Sequence, residues 1–484
     1  MFIGVDLGTS GIKIVLTNNS GDIVDTESSV FEVSRPKPLW SEQDPGDWWR
    51  GFCSAMDGLH QRNDLSEVKA LAFAGQMHGA TLLDSNNKVI RPAILWNDGR
   101  CEAQCMEIEQ LVPDARQITG NIIMSGFTAP KLLWVKQHEP ENFARISKVL
   151  LPKDYLRLLL SGDFATDMSD AAGTMWLDVN NRSWNRGLLA ACGLTEANMP
   201  ELFEGSQQTG TLKSDIAARW NMHAIPVVAG GGDNAAGAVG VGIVKPGQAM
   251  LSLGTSGVYF VVTDGFASNP DSAVHSFCHA LPNTWHLMSV ILSAASCLQW
   301  YAESIAKKPV TDLLAELDEA EIDLQNSPIF LPYLSGERTP HNNPAATGCF
   351  FGLTHSTDQA SLTHSVLEGV SLALADGVDA LHQSGLESEE ITLIGGGAKS
   401  VYWRQLLADV LDRPVNYREG GDVGPGLGAA RLAQIAMDKD KTLEQICPQP
   451  KLEAVFEPNR ENVEIYARRR QTFQQLYKQL ACFY

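Results

Sequence analysis

The sequence has few of the features that define secreted, membrane or nucleic-acid-binding proteins. Its 484 residues contain no run that approaches the roughly 18 apolar residues of a membrane span. Positive charge is scarce, since 37 Lys plus Arg face 57 Asp plus Glu and the formal net charge is −20. Nucleic acids and anionic membranes bind to clustered cations, so we expect neither as a partner. A small phosphorylated ligand remains compatible with this charge, because backbone N–H groups can hold it.

Cysteine is also used in a way that excludes a disulfide framework. The nine cysteines are an odd, scattered set without a C-x-x-C pair, which favours a reducing compartment. Cys101 and Cys105 lie one helical turn apart, but no second Cys or His pair at zinc spacing is near them, which disfavours a metal there. The N-terminus enters a strand directly, without the segments of a secretory signal. We therefore expect a cytoplasmic protein.

Length and composition indicate a globular protein of two or three domains, at about 150 residues per domain. Hydrophobic residues make up 44% of the chain and charged residues 19%, which suits a sizeable core. Strand-like and helix-like segments alternate, which predicts an α/β protein with sheets covered on both faces. The predicted strands include Val68–Ala74, Ile225–Ala229 and Ile391–Ile394, and the predicted helices Pro130–Lys136, Asp154–Leu160, Leu362–Gln383, Tyr402–Leu411 and the polar run Asn459–Gln479.

A strand, a Gly-rich turn and a second strand occur twice in the sequence. With Asp6 aligned to Ser252, seven of twelve positions are identical. Such a dense match predicts an internal duplication in which each half opens with the same hairpin, and recurrent turn chemistry of Gly and Ser is the alternative. We place the domain boundary near residue 245, within Val241–Gly247. The predicted domains are 1–245 and 246–484.

Glycine-rich turns at strand ends are the main indication of a ligand. They present backbone N–H groups and hydroxyls to an anion, and glycine lets the backbone approach a phosphate. The two hairpin turns, together with the triple glycines Gly230–Gly232 and Gly395–Gly397, predict a nucleotide held between two lobes. Neither a GxxxxGK[ST] P-loop nor a GxGxxG that opens a βαβ unit is present in its usual context.

The two hairpins differ at two charged positions. Asp6 and Lys13 of the first correspond to Ser252 and Tyr259 of the second. A phosphate clamp needs its metal-facing carboxylate only once, so the asymmetry indicates that Asp6 faces Mg²⁺, directly or through water, and that Lys13 faces the phosphates. A solvated strand-end Asp and an edge Lys are the alternative.

Asp233 is the candidate general base. Three glycines precede it and small residues follow, which predicts a carboxylate exposed at a strand end before a closely packed helix. A carboxylate within hydrogen-bond reach of a hydroxyl can accept its proton while the oxygen attacks phosphorus. The alternative is that Asp233 only caps the helix that it precedes.

The turn Gly75-Gln-Met-His-Gly79 follows a predicted strand and offers donors and acceptors to a polyhydroxylated ligand. For His78, a structural role is the alternative to ligand binding. Trp48 and Trp49 are expected to pack a domain flank, with a sugar platform as the alternative.

These motifs resemble those of the FGGY family of carbohydrate kinases, and the resemblance covers essentially the whole chain. Residues 126–138 fit the first family signature, with Lys131 and Trp134 in place. Residues 348–368 fit the second signature, except that Ser361 stands where the family usually has an acidic or amide residue. The resemblance implies two duplicated ribonuclease-H-like domains of the actin-like ATPase fold, with ATP and sugar in the cleft between them.

The resemblance also implies residue roles. Asp233 is the catalytic base and shares Mg²⁺ with Asp6, and the sugar contacts are Met77, His78, Asp233 and Asn234. The ATP contacts are Thr9, Ser10 and Lys13 in the first phosphate loop, Gly254, Thr255 and Ser256 in the second, and Gly396, Gly397, Ser400 and Trp300 beside the nucleoside.

The implied reaction transfers the γ-phosphoryl group of ATP to the 5-hydroxyl of D-xylulose. The Gln-Met-His turn favours a ketopentose, because glycerol kinases of the family carry an Arg-Glu pair there. One alternative is another kinase of this family, acting on ribulose, gluconate or a glycerol-like substrate. A second is a non-catalytic, actin-like nucleotide-binding protein. The expected ligands are a small sugar and ATP with Mg²⁺, and the formation of a homodimer is left open.

Overall fold

Two large mixed sheets form the framework of the protein, and each half of the chain supplies one. The computed structural model describes residues 1–386, 388, 390–418 and 424–484. In spatial order, the six-stranded sheet contains Gln208–Thr211, Pro226–Gly232, Ala70–Gly75, Phe2–Leu7, Gly11–Thr17 and Ile23–Val30. The seven-stranded sheet contains His275–Cys278, Trp285–Ile291, Gly257–Thr263, Gln248–Leu253, Glu390–Ile394, Val415–Arg418 and Leu452–Phe456.

Helices and short strand pairs surround the two sheets. The helices of the first half are Pro45–Arg62, Glu102–Leu111, Ala115–Thr119, Thr128–His138, Pro140–Ala144, Pro152–Ser161, Met168–Ala172, Arg186–Ala191, Ser214–Arg219 and Asp233–Gly240. Those of the second half are Ala295–Trp300, Val310–Glu319, Gln359–His382, Val401–Leu411, Pro425–Met437, Leu443–Ile446 and Arg460–Leu480. The short pairs are Glu42–Gln43 with Ala93–Ile94, Thr81–Leu83 with Lys148–Leu150, Ala165–Asp167 with Glu201–Phe203, Leu177–Asp178 with Ser183–Trp184, and Ile329–Leu331 with Cys349–Phe351. None of the helices in the described ranges combines the length and apolar character that crossing a membrane requires.

The predicted strands and helices are confirmed, with ends that differ by a few residues. The strand predicted at Val68–Ala74 is Ala70–Gly75, and the helix predicted at Leu362–Gln383 is Gln359–His382. Ser400 caps the helix Val401–Leu411 as expected, because its side chain accepts a hydrogen bond from the Trp403 N–H.

The duplicated hairpins have the same surroundings in both sheets. Each first strand pairs antiparallel with the second strand of its hairpin and parallel with a later strand of the same half. The registers differ by one residue, since Asp6 pairs with Lys13 whereas its counterpart Ser252 pairs with Val258. The halves therefore share an architecture while their turns differ in detail.

The six-stranded sheet has one face of large side chains and one of small side chains, as the period of two in a strand dictates. Ile3, Val5 and Leu7 belong to a core with the helix Pro45–Arg62. The opposite face carries alanines of the strand Ala70–Gly75, which pack on alanines of the helix Pro425–Met437. A helix from the second half of the chain thus covers the sheet of the first half.

Glycines allow this helix to lie close to its neighbours. A Cβ built on Gly4 would lie 1.8 Å from the carbonyl oxygen of Gly426, and one built on Gly428 would lie 1.7 Å from that of Ala236. Backbone therefore contacts backbone where Pro425–Met437 crosses both the strand Phe2–Leu7 and the helix Asp233–Gly240.

Substitution of Gly428 by alanine is expected to destabilise the protein, because the added methyl group would force the two helices apart at a cost of roughly 1–3 kcal/mol or more. The matched control is Gly237→Ala in the facing helix, where the nearest atom to a new Cβ is 3.9 Å away. This control should gain about 0.5–1 kcal/mol from helix propensity. Calorimetric melting temperatures of both variants test the prediction. Equal or higher melting of Gly428→Ala would contradict it.

Candidate active site

A cleft between the two sheets contains two adjoining cavities that share Asp233, Asn234 and Val258 as lining residues. The first cavity has a volume of about 280 Å³ and is lined by residues of both halves, including Met77, His78, Trp96, Ser256, His275 and Arg338. The second cavity has a volume of about 300 Å³, and its lining includes Gly237, Ser252, Gly395, Gly424 and Pro425. Asp233 stands where the two cavities meet.

Parallel strands bring the predicted site residues of the first half to one sheet edge. The strands Phe2–Leu7 and Pro226–Gly232 flank Ala70–Gly75, and all three run in the same direction. Asp6 lies near the end of the first, Met77 and His78 follow the second, and Asp233 follows the third. The carboxyl ends of parallel strands are the usual ligand edge of an α/β sheet.

The triple glycine before Asp233 is required by close packing. A Cβ on Gly230, whose φ is +81°, would lie 1.8 Å from the Phe73 carbonyl oxygen. A Cβ on Gly232 would lie 2.9 Å from the sulfur of Met77. Side chains at these positions would displace the turn, and with it Asp233, from the edge of the sheet.

A buried hydrogen-bond chain holds the same turn from behind. The Gly232 N–H donates to Ser169 Oγ at 3.0 Å, and the Ser169 hydroxyl donates to Asp167. Asp167 also accepts from the backbone N–H groups of Ser169 and Asp170. The position of Asp233 therefore depends on a carboxylate that lies outside the cleft.

Asp167 belongs to a fully buried ionic cluster. Lys153 Nζ lies 2.7 Å from both Asp154 and Asp167 and 3.1 Å from Asp170, and Arg157 lies 2.6 Å from Asp154. Although burial disfavours charge, the three carboxylates raise the pKa of Lys153, and burial raises the pKa of Asp170 well above its usual value. Two cations, Lys153 and Arg157, thus face three carboxyl groups, and burial favours the neutral form of Asp170.

Asp233 is the first residue of the helix Asp233–Gly240, and Gly232 is the N-cap residue. Oδ1 of Asp233 accepts hydrogen bonds from the backbone N–H and the side-chain amide of Asn234, at 2.8 and 3.0 Å. The helix-cap alternative therefore does not describe this side chain. Burial raises the pKa of Asp233 to about 6, against the hydrogen bonds from Asn234, which lower it.

Asp6 lies close enough to Asp233 for the two carboxylates to interact. Burial, followed by the negative charge of Asp233, raises the pKa of Asp6 to about 7, while Lys13 acts in the opposite direction. A pair of carboxylates that resists joint ionisation is a favourable place for a cation.

His78 lines the first cavity in a left-handed backbone conformation, with φ at +70°. Its carbonyl oxygen accepts from Lys131 Nζ at 2.8 Å, so the signature residue Lys131 supports the turn from below. Its Nδ1 lies 2.7 Å from the Gly173 carbonyl oxygen, which can only accept a hydrogen bond. Nδ1 therefore carries the proton and Nε2 is an acceptor. Burial lowers the pKa of His78 to about 3 and keeps the ring neutral.

The first phosphate loop is held by a network of side chains. Thr9 Oγ1 donates to Gln76 Oε1 at 3.1 Å and accepts from Trp96 Nε1 at 2.9 Å. Ser10 and Lys13 are exposed. The Thr9 hydroxyl is thus engaged within the protein, while the other two side chains are accessible to a ligand.

The second phosphate loop is fixed by the segment that opens the helix Ala295–Trp300. The Gly254 and Thr255 carbonyl oxygens accept from the N–H groups of Ala295 and Ala294, both at 2.9 Å. Thr255 is exposed, and Ser256 lines the first cavity.

Of the residues predicted near the nucleoside, only the two glycines lie directly beside the second cavity. Gly396 and Gly397 form a 3-10 turn directly after Gly395, which lines the second cavity, and no atom of the described residues lies within 4 Å of a Cβ built on Gly396. The Ser400 hydroxyl is used as a helix cap. Trp300 stacks on Phe330 with ring centroids 6.2 Å apart and packs against the core of the second half. Its predicted place beside the base stays a prediction.

Several residues of the first cavity were missed by sequence reasoning. His275 and Phe277 lie on one strand, and Arg338 lies in the turn Gly336-Glu-Arg-Thr-Pro340. The only local signal for Arg338 is a charged pair between turn-forming residues, which is common on protein surfaces. Tertiary structure, and not a motif, turns these side chains toward the cleft.

Comparisons with known proteins agree with this architecture. Residues 1–240 match the N-terminal domain, and residues 249–437 the C-terminal domain, of the "FGGY family of carbohydrate kinases". The xylulose kinases of Escherichia coli (strain K12) and Klebsiella pneumoniae are 59% and 56% identical over 481 residues, which is 99% of each chain. The crystal structure of a "xyloylose kinase" from Brucella ovis is 46% identical, covers 100% of this chain and 99% of its own, and has a TM-score of 0.95.

Two α/β lobes of duplicated topology, with glycine turns and a carboxylate at the cleft, define a two-domain sugar kinase of the actin-like ATPase type. The chain belongs to the FGGY family of carbohydrate kinases. The predicted fold class and family are confirmed, and ATP is the phosphoryl donor that this family implies.

Removal of Lys153 is expected to be far more damaging than neutralisation of Asp170. Lys153→Met would leave buried carboxylates unpaired and should cost about 3–5 kcal/mol. Asp170→Asn replaces the carboxyl group whose neutral form burial favours, and it should cost about 1 kcal/mol or less. Urea denaturation of both variants distinguishes the two effects. Similar losses in the two would mean that Asp170 is ionised and that the cluster carries a net negative charge.

Proposed function

We propose that the protein transfers the γ-phosphoryl group of ATP to the 5-hydroxyl of D-xylulose, with D-xylulose 5-phosphate and ADP as products. The observation that carries this proposal is the position of Asp233 between a cavity of sugar size and a cavity edged by glycine turns. Full-length relatives that are named xylulose kinases support the choice of sugar.

In this proposal, the first cavity binds the sugar. Met77, His78, Asn234 and Asp233 contact its hydroxyl groups, and apolar walls such as Phe127 and Val290 cover its carbon chain. Such a combination of apolar surface and a few oriented polar groups is typical of small-molecule sites. Trp96, which is 44% exposed, closes the cavity toward Thr9.

Asp233 is proposed as the general base. Its pKa of about 6 leaves it largely deprotonated above neutral pH while keeping it basic enough to accept a hydroxyl proton. A bond forms between the sugar 5-oxygen and the γ-phosphorus, the bond from that phosphorus to the ADP oxygen breaks, and the proton passes to Asp233. Asn234 orients the carboxylate, so that one oxygen remains directed at the substrate.

The second cavity and its glycine turns are proposed to bind ATP. The proposed phosphate contacts come from both hairpins. Ser10, Thr255 and Ser256 lie on the turns, Lys13 lies on the strand Gly11–Thr17, and all four are at least partly exposed. Gly396 and Gly397, with Trp300 and Ser400 further away, are proposed for the nucleoside. A protein of net charge −20 repels ATP at long range, so local donors must supply the attraction.

Asp6 and Asp233 are proposed to hold Mg²⁺ with the nucleotide. The two carboxylates have raised pKa values in the same cleft, and hard oxygen donors are what this cation prefers. The described residues contain no cluster of three or more metal-ligating side chains, which suits an ion that relies on phosphate oxygens and water for its other ligands. When bound, Mg²⁺ neutralises phosphate charge.

The domain boundary within Val241–Gly247, a cytoplasmic location and a homodimer also stay proposals. Another sugar or polyol as the true substrate is the main alternative within the family. A coupled assay of ADP release with D-xylulose, D-ribulose, D-gluconate and glycerol decides between them. Preference for any sugar other than D-xylulose would overturn the proposed substrate.

Asp233→Asn should lower kcat by at least about 100-fold, because an amide cannot accept the proton. Affinity for an ATP analogue should stay nearly unchanged, and the surface variant Asp264→Asn provides a matched control. In the unmodified protein, kcat/KM for D-xylulose should fall by about tenfold per pH unit below the Asp233 pKa of about 6. An acid limb near pH 4, or a variant that keeps most of its kcat, would exclude Asp233 as the base.

Asp6→Asn should raise the Mg²⁺ concentration required for half-maximal rate by on the order of tenfold, since the metal loses a charged neighbour. Ser252→Ala, at the duplicated position of the second hairpin, should change this concentration by about twofold or less. Titration of Mg²⁺ at saturating ATP and sugar compares the two. Equal shifts would place the metal between the hairpins and not on the side of Asp6.

A further inference from the structure

An arginine from the second half of the chain reaches the first cavity, where the sugar site proposed above has most of its polar groups on the first half. Arg338 lies in the turn Gly336-Glu-Arg-Thr-Pro340 and lines this cavity together with His78 and His275. The reaction as proposed so far gives Arg338 no task.

The backbone on both sides of Arg338 is firmly held. Glu337 Oε1 accepts from the Leu292 N–H at 2.9 Å. The Thr339 N–H donates to the Val290 carbonyl oxygen, and the Thr339 hydroxyl oxygen accepts from the Val290 N–H, both at 3.1 Å. Glu337 and Thr339 are buried, so the direction in which Arg338 projects is fixed before any ligand binds.

The guanidinium group has little to bind within the protein. Its only hydrogen bond in the described ranges is a long one, 3.4 Å from Nη1 to His275 Nε2. His275 Nδ1 lies 3.1 Å from Asn121 Oδ1, an acceptor, so Nδ1 holds the proton and Nε2 offers its lone pair to Arg338. A guanidinium has five N–H donors, and most of those of Arg338 are therefore left for a ligand.

Glu337 does not neutralise Arg338 although the two are adjacent in the chain. Its Oε1 is occupied by backbone N–H groups, including that of Arg338, and its Oε2 is buried without a partner in the described part of the chain. Burial raises the pKa of Glu337 to about 8, so the carboxyl group is mostly protonated at neutral pH. Arg338 and Glu337 influence each other's pKa, but the guanidinium group of Arg338 forms no ion pair with a carboxylate in the described part of the chain.

Arg338 and Asp233 act on different groups around the cavity. The positive charge of Arg338 contributes to the lowered pKa values of His78 and His275, whereas the pKa of Asp233 responds to burial and to its own hydrogen bonds. The cavity therefore combines the donors of Arg338 with the acceptor Nε2 of neutral His78. An α-hydroxyketone presents the complementary set, a carbonyl oxygen that accepts and a hydroxyl that donates.

We propose that Arg338 is a specificity-determining residue that donates hydrogen bonds to the C2 carbonyl oxygen of an open-chain ketose, while His78 accepts from the neighbouring C1 hydroxyl. This inference rests on the proposed function, which directs the 5-hydroxyl of the same sugar to Asp233. The protein thereby recognises both ends of the ketose, the carbonyl end through Arg338 and His78 and the 5-hydroxyl end through Asp233.

A charged hydrogen-bond donor in the cavity wall can distinguish between similar sugars. A polyol that lacks the carbonyl has an sp³ carbon and a hydroxyl at C2, which does not fit the planar donor fork in the same geometry. A site built to hydrogen-bond one group rejects an analogue that leaves its buried polar atoms unpaired. Arg338 should therefore separate D-xylulose from xylitol and D-arabinitol, the two products of reducing its carbonyl.

The test measures kcat/KM for D-xylulose, D-arabinitol, xylitol and D-xylonate with the unmodified protein, Arg338→Met and Arg338→Lys. We expect the ratio of D-xylulose to D-arabinitol to fall by about 10- to 100-fold in Arg338→Met, the range expected for a lost charged hydrogen bond. The polyol values themselves should change by about threefold or less. Arg338→Lys keeps the charge without the planar fork and should have an intermediate ratio. Arg116→Met, a surface arginine paired with Glu109, is the matched control and should keep the original ratio.

Each outcome has a distinct meaning. A parallel loss toward ketose and polyols in Arg338→Met, or an unchanged ratio, would overturn the inference while leaving the proposed function intact. If Arg338→Met does not fold, judged by its melting temperature and ATP-analogue binding, the ratio in Arg338→Lys decides alone. An unmodified protein that treats ketose and polyols alike would also overturn the inference. No turnover of D-xylulose, or preference for D-xylonate, would overturn the proposed function itself.

Discussion

The crossing of the helices Asp233–Gly240 and Pro425–Met437 is the contact on which the rest of the structure depends. One helix begins at Asp233, the proposed general base, and the other comes from the second half of the chain to cover the sheet of the first. Their approach is limited by backbone atoms at Gly428 and Ala236, and Arg431 fastens it by donating to the carbonyl oxygens of Val239 and Gly240. A cation at the last carbonyls of a helix also complements its dipole. The two halves are thus joined directly beneath the cleft.

The protein is acidic, yet its cleft contains the two carboxyl groups of Asp6 and Asp233. The local environment of these groups limits the charge that they carry. The cluster around Lys153 pairs buried carboxyl groups with cations and holds the turn of Asp233 through Ser169. Within the cleft, burial and the charge of Asp233 raise the pKa of Asp6, and burial lowers the pKa values of His78 and His275. In the proposed reaction, the attraction for phosphate therefore comes from a cation and from backbone dipoles, which act only at short range.

Local patterns in the sequence predict the frame of this site, and tertiary packing decides the rest. Asp233 could be found because three glycines and a run of small residues are unusual around a carboxylate. The duplicated hairpins could be found as well, yet their registers differ by one residue, so that Lys13 is exposed while Tyr259 is buried against Ser388. Neither the return of Pro425–Met437 to the first sheet nor the entry of Arg338 into the cavity has a local signature. Both depend on contacts between segments that are far apart in the chain.

The division of the first cavity between the two halves has a consequence for catalysis. The first half supplies Asp233 and the turn of His78, and the second supplies His275 and Arg338. A sugar that contacts only one half can bind without presenting its hydroxyl correctly, whereas a sugar that contacts both is fixed at each end. Binding energy gained at the remote end then serves to orient the reacting hydroxyl toward Asp233 and the γ-phosphorus. Because the helix crossing connects the halves beneath the cleft, the proposed recognition of the carbonyl end and the proposed positioning of the base depend on the same contact. Selectivity for the sugar and the rate of transfer should therefore change together when the contact between the halves is disturbed.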